Sequence, residues 1–299
     1  MRIDNIQMLS DTLSIFDKGY YVKNGQSIKT KLSKEEQCAS EILLPDQVKY
    51  ICENPTIERN HVIGKTKYFC VNEDSYSVAM RIKHNLIDKD SKVLVLNFAN
   101  PVHPGGGVRR GARAQEEDLC RKSSLLCSLE DKAAREYYEY NASLHTYMGS
   151  DAIIMSPTVE IIRSANGELL DESEIVSVMT CAAPMVTLGL EGMTQQEYER
   201  MFYDRIVATL KVAVHYGYSY LVLGAWGCGA FGNDAKVVSK LYYKALRELK
   251  YNECSHESLF EQIYFAVLDR STGLYNYNSF FEYFDSDNFY KAGDIVEIV

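Results

Sequence analysis

The fold is decided by residues 93–117, VLVLNFANPVHPGGGVRRGARAQEE. The first part is an apolar run that ends at Asn97, which is typical of a buried strand. Three consecutive glycines follow, and a helix is predicted to begin at Gln115. Glycines pack no side chain, but they let backbone N–H groups approach a ligand closely, most readily an anion. We therefore predict an anion-binding loop at the end of a buried strand. The alternative is a basic surface turn, because three arginines lie in the same loop.

A second stretch repeats this order of features at residues 220–233, YLVLGAWGCGAFGN. An apolar strand runs into glycines, and a helix is predicted from Lys236 with Asp234 as its N-cap. A glycine loop between a strand and a helix N-terminus is the usual cradle for a diphosphate. The glycine spacing fits neither the P-loop nor the dinucleotide-binding pattern. Phe231 is interpreted either as a cover for a sugar or base or as a core side chain beneath the loop.

Two adjacent carboxylates, Glu116 and Glu117, follow the first loop directly. Successive residues of a helix point about 100° apart, so the two side chains cannot perform the same task. If they face a ligand, one can bind hydroxyl groups while the other transfers a proton. The alternative is that both carboxylates merely favour the dipole at the start of a helix.

The rest of the chain alternates between apolar runs and segments with helical spacing. This alternation predicts an α/β sheet with helices on both faces, where ligands bind at the carboxyl ends of strands. The predicted strands are residues 68–71, 93–98, 153–155 with 159–162, 176–180, 220–223 and 263–267. The predicted helices are residues 75–84, 115–129, 131–148, 194–215 and 236–249, with short ones at 11–17 and 33–40, the latter begun by a Ser33/Glu36 capping box. Residues 275–290 are ambiguous.

Composition excludes several classes of protein. The chain has 299 residues, of which 46% are hydrophobic and 24% charged, as in globular proteins. Its net charge of −9 gives no general attraction to nucleic acid or to anionic lipid. Eight cysteines without a CxxC pair and six histidines without HExxH predict neither a metal site nor a Cys/His nucleophile. The N-terminus lacks a signal-peptide pattern, and the uncharged residues 212–233 fit a strand and loop better than a membrane span, so we expect a cytoplasmic protein.

Taken together, the motifs resemble the macrodomain-fold poly(ADP-ribose) glycohydrolases, most closely the bacterial or microbial type. The specific elements are NFAN at a strand end, GGG, seven further residues, QEE, and the later GCGAFGN. Looser likeness extends to DTLSIFDKGYY, VSVMTCAAP and YFAVLD, so most of the chain is involved. The resemblance implies a three-layer α/β/α fold with a mixed central sheet and an N-terminal mainly helical extension. It divides the chain into an accessory segment, residues 1–60, and a catalytic domain, residues 61–299.

The resemblance also assigns roles to residues of both loops. Glu117 is implied as the catalytic acid/base, and Glu116 as the residue that holds ribose hydroxyls. The remaining residues implied to bind ADP-ribose are Asn97, Ala99, Asn100, Gly105, Gly106, Gly107, Gln115, Gly227, Cys228, Gly229, Ala230, Phe231 and Gly232.

The activity implied is that of a glycosidase that hydrolyses the ribose–ribose O-glycosidic bond of poly(ADP-ribose) on modified proteins and releases ADP-ribose. No cofactor or metal is implied. Two alternatives stay open: a hydrolase of single ADP-ribose units on protein or nucleic acid, and a non-catalytic ADP-ribose-binding macrodomain. A non-catalytic macrodomain (a reader of ADP-ribose) needs both glycine loops but no glutamate pair, so the intact Glu116 and Glu117 argue against this alternative.

Overall fold

The computed structural model describes residues 4–54, 65–86, 91–251, 254–255 and 259–285. Its helices are α1 (Asn5–Lys18), α2 (Lys34–Cys38), α3 (Pro45–Glu53), α4 (Ser75–Asn85), α5 (Gln115–Lys122), α6 (Leu125–Leu129), α7 (Arg135–Ser143), α8 (Gln195–His215), α9 (Ala235–Glu248) and α10 (Tyr275–Phe284). Its strands are β1 (Tyr20–Lys23), β2 (Gln26–Lys29), β3 (Glu41–Leu43), β4 (Lys67–Val71), β5 (Val93–Phe98), β6 (Ile153–Arg163), β7 (Leu169–Cys181), β8 (Tyr220–Leu223), β9 (Lys250–Tyr251), β10 (Cys254–Ser255) and β11 (Gln262–Ala266).

A seven-stranded mixed sheet forms the central layer, in the order β3-β6-β7-β5-β8-β11-β4. Strands β7, β5, β8, β11 and β4 are parallel to one another, whereas β3 and β6 pair antiparallel at one side. The carboxyl ends of the parallel strands therefore meet at one edge of the sheet. Short hairpins, β1 with β2 and β9 with β10, lie outside this sheet.

Helices cover both faces of the sheet, as predicted from the apolar strands. Alternate residues of β5 enter different cores because successive side chains of a strand point to opposite faces. Val93 and Val95 pack with residues of α4, α5, α6 and α7. Leu94 and Leu96 pack with residues of α3, α8, α9 and α10. The three-layer α/β/α fold is confirmed.

Local sequence signals set several helix starts as predicted. Ser33 and Glu36 form the capping box of α2, and Asp234 caps α9. The prediction of one helix over residues 115–129 is wrong. Ser123 adopts an extended backbone between α5 and α6, and its hydroxyl lies 2.8 Å from the Tyr76 hydroxyl. The predicted interruption between residues 155 and 159 is also wrong, because β6 continues through a bulge there.

The N-terminal residues are tied to the rest of the fold. Helix α1 packs against α5, and β3 pairs with β6 at the edge of the central sheet. The predicted boundary at residue 60 stays a prediction, since residues 55–64 lie outside the described part of the chain. The ambiguous residues 275–290 include α10, which buries Phe280 and Phe284 in the core; residues 286–290 lie outside the described chain. Among the described helices, none combines the length and apolarity needed to cross a bilayer.

Candidate functional site

The two glycine loops leave neighbouring parallel strands. Strand β5 pairs with β8, and both end at the same edge of the sheet. The first loop joins β5 to α5, and the second joins β8 to α9. In open α/β sheets, this edge is where ligands bind. The structure therefore brings together the two motifs that the sequence singled out.

Glu116 lies at the start of α5 and is 2% exposed. Its Oε2 accepts a hydrogen bond of 2.8 Å from the backbone N–H of Asn100, and its Oε1 accepts one of 3.3 Å from the amide of Asn97. Burial raises the pKa of Glu116 to about 8, and the nearby Glu117 carboxylate adds to the rise, while the N–H donors oppose it. The protonated form of Glu116 is therefore favoured to a higher pH than in a solvent-exposed glutamate.

Glu117 is also buried, but its two oxygens differ. Oε1 accepts a 2.8 Å hydrogen bond from the backbone N–H of Gly107. Oε2 has no hydrogen-bond partner among the described residues. Leaving a buried carboxylate oxygen unpaired is costly, so it marks a position where a ligand group or water is expected. This free oxygen distinguishes Glu117 from its neighbour.

The three glycines wrap closely around both carboxylates. Gly105 and Gly106 have φ values of +65° and +57°, in the left-handed region that favours glycine. A Cβ atom on Gly106 would lie 2.6 Å from Oε1 of Glu117 and 3.0 Å from Oε2 of Glu116. One on Gly107 would lie 2.8 Å from Cβ of Ala112. Residues with side chains would therefore push the loop away from the acids.

The end of β5 carries the polar partners of this pair. The Asn97 amide donates to Thr180 Oγ1 at 3.1 Å as well as to Glu116, and its buried Oδ1 has no partner among the described residues. Ala99 is fully buried and donates its N–H to the Cys181 carbonyl. Oδ1 of Asn100 accepts hydrogen bonds from the backbone N–H groups of Val102 and His103 and so shapes the loop.

Gln115 binds the protein with both ends of its amide. Its Oε1 accepts from the Phe98 N–H at 2.9 Å, and its Nε2 donates to Leu96 O at 2.8 Å and to Ser75 Oγ at 3.2 Å. These bonds fasten the start of α5 to the end of β5. The predicted contact of Gln115 with ADP-ribose stays a prediction beside this internal role.

The second loop is held from below by the side chain of Asn233, to which sequence reasoning gave no role. Its Nδ2 donates to the carbonyls of Pro184 and Gly227 at 2.8 and 2.9 Å, and its Oδ1 accepts from the Tyr198 hydroxyl at 2.6 Å. Gly227 has φ +76°, and a Cβ there would collide with the Asn233 amide. The signal that could have found Asn233 is its place directly after the last glycine of GAFGN.

The backbone N–H groups of Gly229, Ala230 and Phe231 have no acceptor among the described residues. Gly229 and Ala230 are exposed, and Gly232, at φ +77°, packs against Thr187. Free N–H groups in a glycine loop ahead of a helix suit an anion. The half-buried Phe231 and Cys228 pack against the core, and Phe231 accepts at its carbonyl from Val186 N. That Phe231 covers a sugar or base stays a prediction.

Charge elsewhere in the first loop is partly neutralised. All three arginines of this loop are exposed, but Arg109 alone among them makes a two-pronged contact with a described carboxylate, that of Glu130, at 2.7–3.0 Å. Within the described residues, no group of three His, Cys, Asp or Glu side chains lies close enough to hold a metal ion.

The layered sheet with two glycine loops at its carboxyl edge defines a macrodomain-like α/β protein. The family described as "Microbial-type PARG, catalytic domain" matches residues 10–164. The chain belongs to this family, whose full name is poly(ADP-ribose) glycohydrolase.

Solved structures of two bacterial glycohydrolases are similar along nearly their whole length. The enzyme of Thermomonospora curvata, bound to the inhibitor ADP-HPD, is 29% identical with a TM-score of 0.82, and the match covers 94% of this chain and 99% of that one. The enzyme of Deinococcus radiodurans, in complex with ADP-ribose, is 30% identical with a TM-score of 0.73, covering 85% and 97%. A comparison with curated proteins gives no match.

Proposed function

We propose that this protein is a poly(ADP-ribose) glycohydrolase, which hydrolyses the ribose–ribose O-glycosidic bond and releases ADP-ribose. Family membership and the two similar bacterial enzymes support this activity. The observation that carries it is the buried Glu117, with one carboxylate oxygen fixed by Gly107 and the other without a partner. A binding module needs no such group, whereas glycoside hydrolysis needs a carboxyl that gives and takes a proton.

In the proposed reaction, Oε2 of Glu117 donates its proton to the oxygen that joins the two riboses. The bond from that oxygen to the anomeric carbon breaks, its electrons leave with the oxygen, and an oxocarbenium-like centre forms on the ribose. Water then attacks the anomeric carbon and gives its proton to the Glu117 carboxylate, which restores the acid. No metal ion takes part in these steps.

The high pKa of Glu116 would by itself favour that residue as the acid. Geometry argues otherwise, because both Glu116 oxygens accept hydrogen bonds, one from Asn97 in β5 and one from Asn100 just after it. We assign Glu116 to the ribose hydroxyls, together with the unpartnered Oδ1 of Asn97. The free N–H groups of the second loop are assigned to the diphosphate. A local N–H cradle is needed since the chain's net charge of −9 repels a polyanion.

The test measures ADP-ribose release from poly(ADP-ribose), together with ADP-ribose binding by calorimetry. The wild type is compared with Glu117→Gln, which keeps the size of the side chain but cannot deliver a proton as an acid. We expect release to fall by at least about 10²-fold while the dissociation constant changes little. The matched control, Glu136→Gln on the exposed side of α7, should behave as wild type.

The two alternative functions, mono-ADP-ribosyl hydrolase and non-catalytic ADP-ribose binding, predict different results in the same experiment. Binding without release from the polymer, but with release from protein carrying single ADP-ribose units, would indicate the mono-ADP-ribosyl hydrolase. Binding with no release from either substrate would indicate a non-catalytic reader. A protein that neither binds ADP-ribose nor releases it would contradict both the proposed ligand and the proposed reaction.

We infer a cytoplasmic location, supported by the free state of the described cysteines, which suits a reducing compartment. Fractionation of the source cells with an antibody against the protein tests this inference. Recovery in the cytosolic fraction supports it, and recovery outside the cytosol overturns it.

A further inference from the structure

We propose that Arg121 is a positioning residue for Glu117, acting through the loop that follows the glycines; this rests on the proposed role of Glu117. Arg121 lies on α5, one turn after Glu117, and its side chain is only 4% exposed. Its Nη1 donates to the backbone carbonyl of Ala112. Its Nη2 lies 3.6 Å from Oδ1 of Asp118. The buried guanidinium of Arg121 thus contacts the backbone of the first loop as well as the carboxylate of Asp118.

Ala112 connects this contact to the acid. The Ala112 N–H donates to the Gly107 carbonyl at 3.2 Å, and the Arg110 N–H donates to the same oxygen at 2.9 Å. The N–H of Gly107 donates in turn to Oε1 of Glu117. The absence of a side chain on Gly107 lets Ala112 approach closely. Movement of Ala112 would therefore be passed to Gly107 and on to the Glu117 carboxylate.

Helix α1 supports the same assembly from behind. The Thr12 hydroxyl donates to the Arg121 carbonyl at 2.7 Å, and Thr12 accepts from Arg163 Nε at 2.9 Å. The Asn5 amide donates to the Gly111 carbonyl at 3.0 Å. The loop that holds Glu117 is therefore fixed by α1 on one side and by Arg121 on the other.

The effect on the reaction follows from what the loop holds. If Arg121 loses its contact with Ala112, the Gly107 N–H no longer fixes Oε1, and Oε2 departs from the position required for proton transfer. The proposed ADP-ribose contacts of Glu116, Asn97 and the second loop do not depend on Ala112. Gly107 is itself expected to contact ADP-ribose, so some affinity should be lost. The expected result is a much larger fall in kcat than in the affinity for ADP-ribose.

The experiment compares Arg121→Met and Arg121→Lys with the matched control Lys122→Met. Lys122 is the next buried cation of α5 and pairs with the same Asp118, at 2.6 Å, but its ammonium group contacts Asp118 and Asp74 rather than the loop. We expect Arg121→Met to lower kcat about 10- to 100-fold, since small displacements of a reacting group have effects of this size. Arg121→Lys should recover part of the loss, and Lys122→Met should keep most of the wild-type kcat.

Equal kcat values for Arg121→Met and Lys122→Met would overturn the inference, and so would a weaker dissociation constant with kcat unchanged. If Arg121→Met does not fold, Arg121→Lys decides alone, with a kcat below that of Lys122→Met as the supporting result. A wild type that releases no ADP-ribose overturns the proposed function, and the role of Arg121 falls with it. An active wild type with equally active Arg121 variants overturns only the role of Arg121.

Discussion

The backbone N–H of Gly107 donates a 2.8 Å hydrogen bond to Oε1 of Glu117, ten residues further along the chain. The glycine run and the carboxylate pair are therefore one structural unit. The loop needs glycines because the acids lie directly against it. The acids in turn are oriented by the loop's backbone, which leaves Oε2 of Glu117 available.

Replacing Gly106 by alanine should lower activity more than the loss of stability alone would explain. The new Cβ would collide with Glu117, and the residue would keep a φ of +57° that disfavours side chains. We expect the free energy of unfolding to fall by about 1–2 kcal/mol and ADP-ribose release to fall about 10²-fold. The control is Gly25→Ala in the β1–β2 turn, with φ +78° but no atom within 4 Å of the new Cβ. It should lose similar stability and keep its activity; equal activity in both variants would contradict the prediction.

The stability of the protein should depend on pH through Glu116. Its native pKa is about 8 against an ordinary value of 4.5, so between these pH values the native state holds a proton that the unfolded state has lost. Stability contributed by this group is present below about pH 4.5 and is lost as pH rises towards 8. Urea unfolding of Glu116→Gln from pH 5 to 8 should show a smaller decline than the wild type. Parallel curves for the two proteins would refute the raised pKa.

Loss of the Asn233 side chain should loosen the second loop. Alanine at this position leaves the carbonyls of Pro184 and Gly227 without their donor, which should cost about 1–3 kcal/mol of stability. ADP-ribose binding by calorimetry should weaken about tenfold, and Tyr198→Phe should have a smaller effect of the same kind. Tyr203→Phe on the same helix, whose hydroxyl bonds to the exposed Glu248, is the control. Unchanged affinity for ADP-ribose in Asn233→Ala would contradict the proposal that the second loop binds the ligand.

Gln115→Glu tests whether Gln115 fastens the helix or contacts the ligand. The change replaces a donor by an oxygen facing the Leu96 carbonyl, so we expect a loss of about 1–3 kcal/mol in unfolding free energy. Turnover should fall because the start of α5 carries both acids. Thermal unfolding, turnover and ADP-ribose affinity are measured together. A large loss of affinity with stability intact would favour direct contact with the ligand.

Sequence patterns predict best where one signal fills a whole element. The bounds of β5 and β8 are predicted correctly because both strands are apolar on both faces. Strand β7 begins earlier than predicted, since its first residues include the adjacent, exposed Asp171 and Glu172 and show no apolar run. Strand β3 has only three residues, and its register depends on Ile153–Met155 far along the chain. The break between α5 and α6 depends on contacts of Ser123 and has neither glycine nor proline to mark it.

The same limit applies to the site. The carboxylate pair and both glycine loops can be found because each is a contiguous motif. Asn233 and Arg121 matter through partners that sequence does not reveal, namely the Tyr198 hydroxyl and the Ala112 carbonyl. The free Oε2 of Glu117 likewise emerges only when the chain is folded.

The position of β11 between β8 and β4 has a consequence for synthesis of the chain. In the described sheet, β4 is bordered only by β11, and beside them the Thr66 hydroxyl bonds to the Phe260 carbonyl, 194 residues later. A nascent chain on the ribosome must therefore hold β4 without its neighbour until the residues of β11 have been synthesised, almost 200 positions later. Premature termination just after α9 would yield a polypeptide that carries every proposed site residue. It would lack β11, the strand that joins β4 to β8 and the rest of the sheet.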